Sequence, residues 1–196
     1  MEIDNIADTL LQGGVALLPT DTVYGLLAAP EHQKAVAKIF ALKRRPIEKA
    51  LPVFVADLAQ LVALGAKISK NVKRLLRSKH IPGPLTLVLE LEPGKAPRWL
   101  GNRAEVAVRF PNDPFLLALL RATGPLLATS ANASGLDTPA EIAKILTQLH
   151  GVPDITLDGG PRTGTASTLI NCRTTPFSVI RKGALLPNEL AEILAA

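Results

Sequence analysis

A chain of 196 residues is long enough to bury a sizeable core as one domain. With 47 % hydrophobic and 20 % charged residues it is not disordered, and no apolar run reaches the ~18–20 residues that span a bilayer. The net charge of +5 and a pI near 9.6 suit nucleic acid or an anionic nucleotide, although at 4 % aromatic content stacking platforms for single-stranded nucleic acid are scarce.

The opening residues, Met1-Glu2-Ile3-Asp4, lack the basic start and apolar stretch of a signal peptide. Ile3, Ile6, Ala7, Leu10 and Leu11 recur at helical spacing, and Gly13-Gly14 supplies a stop. Val15 to Leu18 reads as a buried strand ending at Pro19, which cannot donate to a central ladder. Thr20, Asp21, Thr22 and Tyr24, the only tyrosine, then crowd ahead of Gly25. That is more polar chemistry than a turn needs, and it reads as the floor of a binding site at a strand end.

A helix is predicted over about 31–42, with Val36, Ile39 and Phe40 on one face. It ends at Lys43-Arg44-Arg45-Pro46, because proline disfavours helix at the residue before it. Leu51 to Val55 follows as a buried strand, and this strand–helix–strand succession points to an α/β layered fold. Asp57 is placed to cap a helix carrying Leu58, Leu61 and Val62. The next helix carries Val72, Leu75 and Leu76, with Lys70, Lys73, Arg74 and Arg77 as its solvated face.

Pro82-Gly83-Pro84 breaks the chain before a strand over 85–91, and a loop holding Trp99 leads to a strand over 105–110. In that strand Arg109 alternates onto the face opposite Val108. A helix near 114–122 precedes the apolar run Leu126 to Ala128, which opens into Thr129-Ser-Ala-Asn-Ala-Ser-Gly135. Thr138-Pro-Ala-Glu141 has the composition of a capping box and predicts a helix through about Leu149. Short strands near 154–157, 167–171 and 177–181 and a helix over Pro187 to Ala195 complete the chain. With no repeat or boundary in evidence, 1–196 is expected to be a single domain. Cys172 stands alone, which excludes an internal disulfide framework and fits a reducing cytoplasm. His32, His80 and His150 lack ligand spacing, so no protein-bound metal is expected from them.

One pattern recurs: an apolar strand delivers a hydroxyl, amide or cation at its end. Thr20 and Thr22, Lys43 and Arg45, Thr86, Arg109, Ser130 and Asn132, Ser167 and Thr168, and Arg181 all fit it. Ligands of open α/β sheets sit beyond strand ends, so these residues are expected to converge there. Several cations among neutral donors suit phosphates and a carboxylate. No phosphate loop, dinucleotide fingerprint, Gly-x-Ser-x-Gly elbow or metalloprotease helix is present. An enzyme built this way works by positioning and electrostatics rather than through a covalent nucleophile.

Leu18-Pro-Thr-Asp-Thr-Val-Tyr-Gly-Leu26, Lys43-Arg-Arg-Pro46, Pro82-Gly-Pro-Leu-Thr86, Val106-Ala-Val-Arg109, Ser130-Ala-Asn132, Ser167-Thr168 and Arg181-Lys-Gly183 occur in this order. Together they resemble the motifs of the YrdC/TsaC-like threonylcarbamoyl-adenylate synthases, over about residues 5 to 190 and in their short, single-domain form. The resemblance implies a twisted, mostly mixed α/β sheet flanked by helices, with a concave basic site. It implies that L-threonine, bicarbonate and ATP give threonylcarbamoyl-AMP and pyrophosphate, in the cytoplasm, for threonylcarbamoyladenosine at position 37 of tRNA. A separate transfer complex would take the product onward.

By the same resemblance Lys43 and Arg45 are the catalytic cations, and Lys43, Arg45, Thr86, Ser130, Asn132 and Arg181 hold ATP. Thr20, Arg109 and Ser167 hold threonine, Arg109 through its carboxylate. Magnesium is expected to arrive with ATP, bound mainly through phosphates. The chain departs from the common pattern at Leu27, where glycine is frequent, at Phe54 in place of a histidine, and at Asn112-Asp113-Pro114, where a histidine often precedes proline. Two other readings stand beside this one: a carbamoyl-adenylate-forming domain related to hydrogenase maturation, and a non-enzymatic module binding RNA through a basic surface.

Overall fold

The computed structural model describes residues 2–194. Helix α1 (Glu2–Leu11) buries Ile6, Ala7 and Leu10, and leads into strand β1 (Ala16–Leu18). The chain then reverses into β2 (Gly25–Ala28), antiparallel to β1. Residues 19–24 are therefore the loop of a hairpin rather than a strand exit. Helix α2 (Gln33–Lys43) stops at Arg44, which caps it in the left-handed conformation at φ 47°. The stop thus falls two residues before Pro46, with Lys43 buried and Arg45 lining a cavity described below.

Strand β3 (Val53–Phe54) is followed by α3 (Leu58–Ala63), whose first turn is capped by Asp57 accepting from Gln60 N. Only Leu61 of its three apolar residues is core; Leu58 and Val62 are 55 % and 57 % exposed. A helix this short presents barely one inward position per turn, so the periodicity overstated its buried face. Helix α4 (Lys70–Leu75) is capped by Ser69, and β4 (Leu85–Glu90) and β5 (Glu105–Arg109) follow around a 3-10 turn at Arg98–Leu100. Asp113 caps α5 (Pro114–Thr123), and β6 (Leu126–Ser130) runs back through the sheet.

The predicted capping box at Thr138–Glu141 does not form. Helix α6 spans Ile142–Gln148, and Glu141 makes no side-chain capping bond. Thr138 Oγ1 instead donates to Asn132 Oδ1 at 3.0 Å, a partner six residues back that a local motif cannot reveal. The strands β7 (Ile155–Thr156), β8 (Thr168–Asn171) and β9 (Ser178–Arg181) precede α7 (Pro187–Leu194). The expected last residue of that helix, Ala195, lies outside the described residues.

Among the described residues nine strands form one mixed sheet in the order β7-β1-β2-β6-β3-β5-β4-β8-β9. Its register sorts side chains by alternation. Leu17 and Leu26 share a face with Leu127, Val53, Val108, Leu87 and Ile170. That face packs against Ile39 and Leu42 of α2, Leu61 of α3 and Leu75 of α4 in the larger core cluster. Each such leucine contributes about 1.5–3 kcal/mol by leaving water.

The opposite face carries Leu18, Leu27, Ala128, Leu126 and Phe54, covered by Ile6 and Leu10 of α1 and Leu116 and Leu120 of α5. Along β5, β4 and β8 the same face carries Arg109, Thr86 and Leu169, and that cluster does not extend over them. The half of the sheet face that α1 and α5 leave uncovered is where the polar residues are found.

Candidate active site

A cavity of about 170 Å³ opens on this uncovered face. Thr20, Thr22, Arg45, Thr86, Ser130, Ser167, Arg109 and Arg181 line it, with Phe54, Ala107 and Ala128 as its apolar floor. Eight of the sequence candidates are thereby brought together from the hairpin loop, the α2 exit and five strands or strand ends. They meet at strand ends, as expected, and on one side of the sheet, because alternation puts Arg109, Thr86 and Ser130 on the same face. A larger groove of about 650 Å³ lies between α2 and the 98–103 turn, lined by Phe40, Trp99 and Pro30. Pro30 and Leu127 place it toward the other ends of β2 and β6, away from the converging polar groups.

Arg109 is the most constrained of these residues, only 3 % exposed. Its Nε donates to Gly83 O at 3.1 Å, Nη1 to Thr22 Oγ1 at 2.9 Å and Nη2 to Asp21 Oδ1 at 2.8 Å. Its Cζ stands 5.3 Å above the Phe54 ring, a cation–π contact that holds the plane of the fork. Asp21 Oδ2 accepts from Asn112 N at 3.0 Å, so the carboxylate is fixed at both oxygens. Burial lowers the Arg109 pKa and Asp21 opposes that shift. The Asp21 pairing joins positions 88 apart in the chain, and sequence reasoning left this residue without a role.

The hydroxyls beside the fork are ordered among themselves. Thr20 Oγ1 donates to Val23 O at 2.6 Å and accepts from Thr22 N at 3.1 Å. The two threonine hydroxyls lie 3.0 Å apart. Tyr24 then ties the loop to the segment 158–166. Its hydroxyl donates to Gly160 O at 2.8 Å and accepts from Gly159 N at 3.1 Å. Gly164 fits because it has no side chain: a Cβ there would come within 2.1 Å of Thr22 O. The hairpin loop is gripped by Arg109 and Asp21 on one side and by this strap on the other.

Tyr24→Phe removes two hydrogen bonds at that junction, a loss of about 1–2 kcal/mol. A melting temperature lowered by about 2–8 °C is expected in scanning calorimetry. An unchanged melting temperature would show that the strap is held without the phenol.

Two further cations, Arg45 and Arg181, face the same cavity. Arg45 donates from Nε to Lys49 O and from Nη2 to Ala50 O, each at 2.9 Å. Arg181 Nη2 donates to Ser167 O at 2.8 Å, and the Ser167 and Thr86 hydroxyls are 2.8 Å apart. Among the described residues no carboxylate pairs with Arg45 or Arg181. Burial and then Arg181 lower the Arg45 pKa, and burial lowers that of Arg181.

Lys43 is placed differently: 1 % exposed, it is not a cavity-wall residue but sits behind the end of β6. Its ammonium donates to Ser130 O, to Asn132 O at 2.6 Å and to Asn132 Oδ1 at 3.4 Å. Burial, then Arg45, push its pKa down to about 7. Asn132 is buried as well, and its amide donates to Ala133 O at 2.9 Å and Leu136 O at 2.7 Å, which folds the 130–138 loop. Ser130 lines the cavity, whereas Asn132, like Lys43, does not.

Two kinds of cation thus share the cavity: Arg109, matched by Asp21, and Arg45 and Arg181, with no matching carboxylate among the described residues. A zwitterion fits the first and a polyphosphate the second. These features define an α/β protein with a positively charged site on an open sheet face.

The chain belongs to the Sua5/YciO/YrdC family, whose model, described as "Telomere recombination", matches residues 8–183. It is 34 % identical over 196 residues to a threonylcarbamoyl-AMP synthase of Bacillus subtilis, covering 98 % of this chain and 56 % of that protein. A threonylcarbamoyl-AMP synthase of Stenotrophomonas maltophilia is 37 % identical over 163 residues, 81 % of this chain and 87 % of the relative. The crystal structure of Pyrococcus abyssi Sua5 complexed with L-threonine superposes with a TM-score of 0.87 at 33 % identity, over 98 % of this chain and 57 % of that one. This chain therefore spans little more than half the length of the Bacillus and Pyrococcus proteins. A HypF structure at 20 % identity and TM-score 0.80 shares the fold.

Proposed function

We propose that the protein is an L-threonylcarbamoyladenylate synthase, a nucleotidyltransferase converting L-threonine, bicarbonate and ATP to threonylcarbamoyl-AMP and pyrophosphate. The observation that carries the reading is the charge gathered in one cavity: Arg109 paired with Asp21, and Arg45 and Arg181 with no carboxylate partner among the described residues. The relatives named for this activity, and the Sua5 relative crystallised with L-threonine, support it.

The chemistry asks for alignment. The threonine amine attacks the bicarbonate carbon, forming a C–N bond and releasing water. A carboxylate oxygen of the resulting N-carboxy-threonine attacks the α-phosphorus, and pyrophosphate leaves with the bonding electrons. The Arg109 fork takes the threonine carboxylate, with Ser167 lining the same pocket. Arg45, Arg181 and Lys43 offset the charge on the phosphates, which is where such reactions gain their rate.

Magnesium would come with the nucleotide, its ligands drawn mainly from phosphate oxygens and water. The product would feed threonylcarbamoylation of adenosine 37 in tRNA through a separate transfer complex. Among the described residues no helix is long and apolar enough to cross a membrane.

The test is pyrophosphate release by purified protein given ATP, magnesium, bicarbonate and a panel of amino acids. Release that depends on both threonine and bicarbonate, stops with a chelator and returns with magnesium is expected. Release without threonine, or with carbamoyl phosphate as the required donor, would overturn the reading.

A further inference from the structure

Helix α2 does not spend all its apolar residues on the core. Ala35, Ile39 and Leu42 are buried, whereas Val36, Ala37 and Phe40 form a second stripe at helical spacing along the larger groove. Trp99 of the 98–103 turn stands in the facing wall, and Ile47 and Leu51 complete the apolar lining. Ile47 is 76 % exposed, so this lining reaches open water at the rim. The groove is separate from the cavity described above. Leu127 lines the groove and its neighbour Ala128 the smaller cavity, which puts the two on opposite faces of the sheet.

Its charge is one-sided. Arg98 and Arg103 stand exposed on the turn, and neither enters an ion pair among the described residues. The lining carboxylate, Glu31, lies ahead of α2 on the other wall. An occupant with apolar anchors and carboxylates along the edge that meets the turn satisfies both surfaces. A nucleic acid brings phosphates for the two arginines, but it leaves Val36, Ile47 and Leu51 against sugar and phosphate.

We propose that this groove docks an acidic amphipathic helix of a partner protein. Its apolar anchors lie between α2 and Trp99, and its carboxylates meet Arg98 and Arg103. The volume of about 650 Å³ suits a few large side chains inserted from one helix face. The assignment concerns a different surface from the active site and holds whatever reaction that site performs.

Trp99 is the only tryptophan, so its fluorescence reads the groove directly. The probes are peptides selected on the full chain from a displayed library of random helical sequences. Selected peptides are expected to carry Leu, Phe or Trp at helical spacing beside Asp or Glu, and to shift the Trp99 emission saturably. Arg98→Glu combined with Arg103→Glu should weaken such a peptide by about 10-fold or more, and a version with lysine in place of its acidic residues should bind that variant better than the wild type. Ile47→Asp should also weaken the acidic peptide by about 10-fold or more. All three substitutions fall on exposed side chains, and an unchanged melting temperature shows that the variants fold.

A library that yields no binder, or binders without acidic residues, would overturn the assignment. So would peptides that ATP displaces while the Trp99 emission stays constant, because they occupy the other cavity. Equal affinity for the wild type and the charge-reversed variant would do the same. An RNA oligonucleotide that shifts Trp99 at lower concentration than every selected peptide would give the groove to nucleic acid instead.

Discussion

Replacing Lys43 with methionine is expected to lower threonine-dependent pyrophosphate release by about 10²–10³-fold, the range found when one preorganised charge is removed from a reacting centre. The ammonium is held behind the cavity wall by the carbonyls of Ser130 and Asn132, and on the proposed function its field would act on the phosphates without the side chain being exposed. The stability effect should depend on pH. With its pKa pushed down to about 7, folded Lys43 binds fewer protons than the unfolded chain between that value and the ordinary lysine range.

Its contribution to stability is therefore present above the ordinary lysine value and lost as pH falls through about 7. Lys43→Met should gain stability relative to the wild type between about pH 9 and pH 6, read from paired denaturant titrations. Bound phosphates reverse the shift by favouring the ammonium. ATP binding near pH 8 should take up protons, seen as a buffer-dependent heat that vanishes in Lys43→Met. A variant with full activity, or a stability difference that runs the other way with pH, would mean the lysine is a packing residue.

Arg109→Lys is expected to raise the KM for threonine by about 10–100-fold while the KM for ATP stays within about 2-fold. Lysine keeps the charge but cannot reach Gly83 O, Thr22 Oγ1 and Asp21 Oδ1 together from one plane. It also loses the flat contact with Phe54. Arg109→Ala should go further and lose about 3–5 kcal/mol of stability, because Asp21 is left partly buried without its partner. Steady-state kinetics against each substrate separately checks the first point. A threonine KM unchanged in Arg109→Lys would place the carboxylate elsewhere.

How far the chain could be read from its letters depended on how local each cause was. Helix α5 was legible because Asp113, Pro114 and the leucine spacing all lie within one turn of each other. Strand β2 was not, since Gly25 after a polar run looks like more loop until β6 is there to pair with it. The same distance problem misdirected Thr138, whose partner is Asn132 rather than the backbone of the next helix.

For the site, the candidate residues were legible as types, and the cavity gathers most of them. Their geometry was not. The burial of Lys43 depends on carbonyls 87 and 89 residues away, and the matching of Arg109 by Asp21 on a contact spanning 88. The glycine at 164 gave no local signal, because its reason is the carbonyl of Thr22.

Strand β9 ends the sheet with no neighbour on its outer side, and Arg181 is its last residue. A cation of the site thus hangs on an edge strand, which is paired on one side only and so is open to local fluctuation. In the free protein its amides should exchange through fluctuations that leave the rest of the sheet intact. A bound nucleotide, by holding Arg181, adds its binding energy to that opening reaction, about 2.7 kcal/mol at a hundred times the Kd. On the proposed function the ligand would act as the missing neighbour of an edge strand, and fraying would give the site a way to let its product go.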